Sequence, residues 1–541
     1  MTVDTALPEI TRARRHSLGD LLHRTARRVP DKLGVVTAER EFTFAEFDVA
    51  VNRMAHALAD RGLVKGDRLA LLSRNCWEFG ALVFAAARLG VILVPINFAL
   101  QPREVAFILA DSGASGLIAG GDLLDVAAAA ADIAAESGDA APAASIRVRA
   151  VIGEPATRSA AAGWESASRW ADDGPDRAPD VDVLDDDPIR LMYTSGTESS
   201  PKGVISTSRS LIAQYVSCIV DGGATADDIE IHSLPMYHCA QLDCFFCVDV
   251  YLGATSVILP TPDPDAVLAA IERHGATKYF APPTVWIGLL RSEKFASTDL
   301  STLAKGYYGA SPMPAEVLRE LLDRLPDVRL WNFYGQTELS PMVTILLPHE
   351  QLAHAGSAGR AALNAETIIV DDDGNAVPPG EVGEIVHRSP HICAGYHHRP
   401  DKTAEAFAGG WFHSGDLGVM DADGYLSVVD RKKDMICTGG ENVASREVEE
   451  AIYEIPGVAE VAVFAVPHPR WVEAVTAAVV PRAGVDIDEQ QILDHLRDRL
   501  AGFKRPKYVV VVDELPKNPS GKIVKRTLRE RYDDLARTAT G

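Results

Sequence analysis

Residues 68–95 read RLALLSRNCWEFGALVFAAARLGVILVP. Arg68–Leu72 is an apolar run of strand length, Trp77–Leu89 has the length of a helix, and Val91–Pro95 is a second strand-like run. Strand, helix and strand of nearly unbroken hydrophobicity make a crossover unit, and such units build parallel sheets buried on both faces. The alternation continues with a helix at Pro102–Asp111 and returns at Val257–Leu259 and the helix Asp265–His274. The expected class is therefore α/β, with parallel-rich sheets covered by helices.

A chain of 541 residues is too long for one compact core. Two stretches interrupt the pattern. The Ala-rich 124–145 reads as one surface helix, and 155–187, rich in Ala, Asp and Pro, as a solvated linker feeding a strand at Ile189–Tyr193. A boundary falls at Asp430–Asp434, charged and expected to be exposed. Beyond it a helix (Ser445–Tyr453), strands Ala459–Val466 and Ala474–Val480, and a helix (Asp488–Leu500) read as a small α+β unit. The domains are thus 1–430 and 434–541, joined through 431–433.

The net charge of −23 argues against nucleic acid or anionic membrane as partner. Residues 431–541 hold 18 Lys plus Arg and 18 Asp plus Glu, so the acidic excess lies before them. No secretory leader or membrane-spanning run is read, and seven scattered cysteines fit reduced thiols in the cytoplasm. Cys244 and Cys247 have redox spacing, but their apolar surroundings favour packing.

The chemistry-bearing segment runs Leu191-Met-Tyr-Thr194-Ser195-Gly196-Thr197-Glu198-Ser-Ser-Pro-Lys202-Gly203. Small residues let backbone N–H groups approach an anion, hydroxyls donate further bonds, and a lysine adds a point charge. Those are the requirements of a polyphosphate cradle, though not of the Walker pattern. Further motifs follow: Tyr334-Gly335-Gln336-Thr337-Glu338 after a strand-like Val328–Phe333; Trp411–Gly418 with Asp416; Asp430–Asp434; Gly439-Gly440-Glu441-Asn442; and Pro519-Ser520-Gly521-Lys522.

In this order, over about residues 18–535, they make the chain resemble the adenylate-forming superfamily of acyl-CoA synthetases, firefly luciferase and peptide-synthetase adenylation domains. The resemblance implies a large N-terminal domain with a smaller β subdomain and a mobile C-terminal lid. It also implies an acid–thiol ligase: a carboxylic acid and ATP give acyl-AMP and pyrophosphate, then coenzyme A displaces AMP. The implied cofactors are ATP, Mg2+ and CoA.

By resemblance, Thr194, Ser195, Gly196, Thr197 and Lys202 hold the β- and γ-phosphates, Thr337 the α-phosphate, and Glu338 the metal. Asp416 and Arg431 take the ribose, and Tyr334 with Gly335 covers adenine opposite Gly309, Ala310 and Ser311. Lys522 neutralises charge in adenylation, and Lys433 is the hinge. Gly439, Gly440 and Glu441 line the pantetheine tunnel. His238, Tyr215 and Gly335 border the acyl pocket, whose segments read as apolar or small without a fixed carboxylate for an ammonium, which favours an apolar or aryl acid. Lys504, Lys507, Lys517 and Lys525 read as surface charges; Arg446, Lys504 and Arg505 are also candidates for the CoA phosphates.

Glu198-Ser199 replaces the usual hydroxyl and glycine of the phosphate loop, Ser206–Arg209 departs from the common Thr-His pair, and Ser445 reads as the N-cap of its helix. Loading of a carrier-protein phosphopantetheine, a non-catalytic nucleotide-binding relative and a homodimer stay open. No carrier-like segment follows Lys522, which leans towards free CoA.

Overall fold

The computed structural model describes residues 8–136, 146–154, 163–194, 201–311, 313–432, 434–438, 441–468, 470–497, 499–517 and 523–535. Two large sheets dominate. One has nine strands, ordered Arg360–Ala361, Met342–Leu346, Arg329–Gly335, Lys305–Gly309, Lys278–Phe280, Ile229–His232, Thr255–Ile258, Leu33–Val36 and Glu41–Thr43. Its interior pairs are parallel and its outer ones antiparallel. The other has eight, ordered Gly395–Tyr396, Lys202–Thr207, Pro188–Thr194, Ile92–Pro95, Arg68–Leu72, Gly116–Gly120, Val148–Ile152 and Glu165–Ser166.

The main core fills the space between them, drawing Leu69, Leu71 and Leu93 from one sheet and Val35, Phe280 and Tyr307 from the other. The helix Trp77–Leu89 lies in this layer with every residue buried, which is why Glu78 and Arg88 are its only charged residues. It ends at Gly90, whose φ of 67° closes the helix in the left-handed conformation. A β-carbon on Gly80 would come within 2.6 Å of the Phe246 ring, so the helix touches the Ala240–Phe246 segment directly.

An antiparallel four-stranded sheet follows, Glu366–Val370, Val382–Arg388, Phe412–Met420 and Leu426–Arg431. It is the smaller β subdomain. A last sheet is built on Val458–His468 and Val472–Pro481, with Ile436–Thr438, Glu441–Val443 and a parallel Tyr508–Val511, packed against helices Ser445–Tyr453 and Glu489–Arg497. The α/β class and its small C-terminal partner are thus as expected. Among the described residues, no helix is long and apolar enough to cross a membrane.

Several local expectations are refined or corrected. Within the expected linker, Glu165–Ser166 is an edge strand of the eight-stranded sheet and Trp170 is buried beneath the Arg61 guanidinium, 4.7 Å above its ring, whereas 172–187 has no regular structure and is mostly exposed, as expected. The helix Leu124–Glu136 lies on the surface as expected, exposing Asp125, Asp132 and Glu136, and buries Ala127, Ala130, Ala131 and Ala134 against the Pro102–Ser112 helix. At the junction Asp430 is buried, its Oδ2 accepting from the Ser445 amide (2.6 Å) and hydroxyl (2.7 Å). Ala444 is the N-cap, and Ser445 is already inside the helix. Lys525 is no surface charge: it pairs with Glu449 at 2.8 Å. Cys244 and Cys247 are buried, free thiols of the main core.

Candidate active site

The phosphate segment is flanked by a hairpin: strands Pro188–Thr194 and Lys202–Thr207 pair antiparallel, with Thr194 opposite Lys202. Ser195, Gly196 and Thr197 lie outside the described residues, as do Lys433, Gly439, Gly440 and Lys522; Glu441 is placed only as part of a short strand. Lys202 lies over the Tyr396 ring, 5.5 Å from its centroid. The Tyr396 hydroxyl in turn donates to Glu338 Oε1 at 2.9 Å. The phosphate lysine and the expected metal ligand are therefore linked through one tyrosine.

Tyr334–Glu338 begins at the end of the strand Arg329–Gly335 and runs into a short 3-10 segment, Thr337–Leu339. Gly335 is obligatory, because a β-carbon there would lie 1.8 Å from the Pro341 carbonyl oxygen. The Gln336 amide donates to that same oxygen at 2.9 Å. Gly309 sits at the end of the neighbouring parallel strand, in register with Phe333, which brings Ala310 and Ser311 beside the loop. Ala310 and Ser340 hold positive φ, 63° and 65°. Non-glycine residues pay for that conformation and gather at functional sites.

Asp416 and Arg431 are partners across the antiparallel pair Phe412–Met420 and Leu426–Arg431. Gly415, at φ 70°, makes the turn ahead of the carboxylate. Asp416 Oδ2 accepts from the Tyr334 hydroxyl (2.7 Å) and the Gln336 side-chain amide (3.0 Å), while Arg431 Nε faces Oδ1 at 3.5 Å. Oδ1 keeps lone pairs for further donors such as vicinal hydroxyls. Burial and the adjacent Asp416 hold the Tyr334 phenol well above its usual pKa, so it stays a donor.

Burial also raises the Glu338 carboxyl above the usual carboxylate range, with Tyr396, Arg431 and Lys202 pulling it back. A carboxylate beside the hydroxyl of Thr337 is an oxygen donor set suited to Mg2+, which keeps several waters and phosphate oxygens of its own. Thr337 also reaches the third part of the site, its Oγ1 lying 3.3 Å from Cys239 Sγ. Next to Cys239, His238 Nδ1 accepts from the Ala240 amide at 3.2 Å, which leaves Nε2 as the protonated ring nitrogen. The loop thus brings together Asp416 and Arg431 at one end, Glu338, Tyr396 and Lys202 in the middle, and His238 and Cys239 at the other.

Tyr215 is not brought into this line. It is wholly buried, and its hydroxyl donates to Asp243 Oδ1 at 2.9 Å. Asp243 also corrects the expectation that these segments carry no fixed carboxylate, although Arg190 already pairs with it. Of the CoA-phosphate candidates, Arg446 bonds Glu450 and Val428 O, Lys504 bonds Glu447, and Arg505 bonds Leu500 O. Sequence reasoning missed Gln336, Cys239 and Tyr396. Gln336 was visible inside its motif; Tyr396 carries no local signal, since it reaches the site by pairing with Val204. Among the described residues, Glu230, His232 and Asp249 form a metal-like grouping, but the Lys278 ammonium fills it at 2.7 Å from Glu230 and 2.5 Å from Asp249.

The chain is similar to known proteins over most of its length. The model described as AMP-binding enzyme matches residues 22–397, and that described as AMP-binding enzyme C-terminal domain matches 447–522. A feruloyl-CoA synthase from Amycolatopsis is 37% identical over 96% of this chain and 100% of its own length. A long-chain-fatty-acid–CoA ligase from Mycobacterium tuberculosis is 36% identical over 91% and 93%. ATP-bound MatB from Rhodopseudomonas palustris superposes with a TM-score of 0.86 at 31% identity, over 96% of this chain and 99% of that one.

Proposed function

Because the chain belongs to the AMP-binding enzyme family, we propose that the line of groups from Asp416 to His238 is where it joins a carboxylic acid to the α-phosphate of ATP. The chain is an acid–thiol ligase, forming acyl-AMP and pyrophosphate and then the CoA thioester and AMP. One observation carries the assignment of residues: Tyr334–Glu338 touches the sugar-binding pair, the phosphate hairpin's neighbour and the acyl-side corner at once.

Asp416, with Arg431 behind it, accepts the ribose hydroxyls, and Tyr334 offers its ring to adenine across from Gly309, Ala310 and Ser311. Lys202 and the hydroxyls from Thr194 onward hold the outer phosphates, and Thr337 donates to the α-phosphate. Glu338 fits an oxygen-ligated cation, and Mg2+ held there supplies neutralising charge on the phosphate oxygens. The acid approaches from the His238–Cys239 side, where the carboxylate meets an α-phosphate of like charge. Donors aimed at that point stabilise the charge that develops on phosphorus oxygens. Lys522 supplies the decisive ammonium there, on a C-terminal domain (434–541) that turns about 431–433, with Lys433 as pivot, to present Gly439, Gly440 and Glu441 to the pantetheine arm.

The acid is apolar or aromatic. Val343, Leu242 and Phe245 are buried on the acyl side, and the buried carboxylate of Asp243 is already paired with Arg190, so no free charge awaits an ammonium. ATP and CoA place the reaction in the cytoplasm, which also fits unpaired, buried thiols. Purified protein given a panel of fatty, aryl and amino acids, with pyrophosphate release and thioester mass measured separately, tests this. Pyrophosphate without acyl-CoA would move the acceptor to a carrier protein; turnover only with amino acids would overturn the substrate reading.

A further inference from the structure

Directly after His238 and Cys239 the chain winds as a π-helix, Ala240–Phe246, before continuing as the α-helix Cys247–Leu252. Such turns are rare and are frequently found at functional sites. Residues Gln241–Phe246 are all buried, and two polar side chains among them reach in different directions. Asp243 Oδ1 takes the Arg190 guanidinium, each side chain 1% exposed, together with the Tyr215 hydroxyl. Arg190 stands on the strand Pro188–Thr194, which runs straight into the phosphate hairpin, and Tyr215 on the helix Ser208–Gly222. Gln241 reaches the nine-stranded sheet: its side-chain nitrogen lies 2.7 Å from His232 Nδ1, and its oxygen accepts from the Leu234 amide at 3.3 Å. The π-helix is thereby strapped to both large sheets, one carrying the phosphate hairpin and the other the Tyr334–Glu338 loop.

A buried ion pair is a poor way to gain stability, because apolar side chains of like volume often hold a fold as well or better; its best-attested use is to fix one arrangement. Here the geometry has an address. Arg190 lies a few residues before Thr194, and Asp243 a few after Cys239, whose sulfur meets Thr337. We propose that Arg190 and Asp243 are positioning residues that set His238 and Cys239 relative to the phosphate hairpin, and so align the incoming carboxylate with the α-phosphate. This rests on the acyl-side role given to His238 above. Both side chains are buried, and neither belongs to the groups assigned to ATP above, so the acid step should feel their loss and nucleotide binding should not.

The test is the full-length double variant Arg190→Met/Asp243→Leu, which exchanges the pair for apolar side chains of similar size. Pyrophosphate release is measured against acid at saturating ATP and against ATP at saturating acid, using the acid that the wild-type protein turns over best. The expected result is an unfolding midpoint no lower than that of the wild type. The KM for acid rises about tenfold or more, as displaced reacting groups demand, while the KM for ATP stays within about twofold. Arg190→Lys keeps the two charges paired but loses the fixed fork of the guanidinium; it shifts the acid KM in the same sense by a smaller factor and carries the test if the double variant does not fold. A folded variant with both constants unchanged, or with both raised alike, overturns the proposal. Failure of the wild type to activate any acid overturns the adenylation reading and this one with it, and is recognised because no substitution is involved.

Discussion

Replacing Asp416 by Asn tests the sugar site with almost no change of shape. In the native protein Oδ2 receives the Tyr334 hydroxyl at 2.7 Å and the Gln336 amide at 3.0 Å. Both are donors, so the Asn carbonyl oxygen must take the Oδ2 place and its NH2 group the Oδ1 place, facing Arg431, donor against donor. The fold survives, since the two short bonds are kept. The ribose loses its charged acceptor. Hydrogen bonds to charged groups contribute about 1.5–3 kcal/mol and neutral ones about 0.5–1.5 kcal/mol, so two hydroxyls together lose about 2 kcal/mol. That corresponds to roughly a thirtyfold rise in the KM for ATP. Pyrophosphate release at saturating acid, with ATP varied, measures it; the KM for acid and the unfolding midpoint serve as controls. Tyr334→Phe, which leaves the carboxylate charged, should raise the same constant by less. An Asp416→Asn enzyme whose KM for ATP stays within about twofold of the wild type would refute the assignment of Asp416 to the sugar.

Four further outcomes are expected. Tyr396→Phe removes the donor on Glu338 Oε1, and the Mg2+ concentration for half-maximal rate should rise about fivefold, as for one lost bond of about 1 kcal/mol, with little change at saturating metal. Lys522→Ala should cost about 3–4 kcal/mol in the adenylation barrier, as removal of an oxyanion-type donor does, while thioester formation from added acyl-adenylate persists; loss of both half-reactions would contradict the role. Gly335→Ala places a β-carbon 1.8 Å from the Pro341 oxygen and should lower stability by several kcal/mol, about the range reserved for a backbone clash, read by denaturant unfolding. Burial lowers the His391 pKa from 6.5 to about 4, the ring being held between Ser217 and the Met342 carbonyl. The unfolded chain therefore takes up the proton first: this stability is present above pH 6.5 and drains away towards pH 4. His391→Gln should flatten the fall of the unfolding midpoint across that window.

What could be read from the sequence, and what could not, divides along a physical line. Length and nearly unbroken hydrophobicity identified Trp77–Leu89 and its flanking strands, because burial on all sides is written into all but Glu78 and Arg88 of the helix. The C-terminal helix Ser445–Tyr453 was equally legible from its amphipathic pattern. Trp170 was hidden in a run of Ala, Asp and Pro because one buried ring has no period. The π-helix was hidden because its ladder differs from the α-helix by one residue and leaves no repeat to count.

The same line runs through the site. Tyr334, Thr337, Glu338, Asp416 and Arg431 were singled out because they sit in short motifs; their meeting depends on partners that no motif contains. Asp416 faces Arg431 only through the register of an antiparallel pair, and Glu338 meets Tyr396 only because a two-residue strand adds to the phosphate hairpin. Tyr215 shows the converse: matched by position to a pocket, it serves Asp243 instead, because β-strand Pro188–Thr194 carries an arginine into the space beneath it. Position in a motif thus assigns a residue to a neighbourhood, and only its buried partners decide what it does there. It follows that acid specificity in this chain should respond to changes at Arg190 and Asp243 as strongly as to changes at His238, although only His238 stands in a recognisable motif.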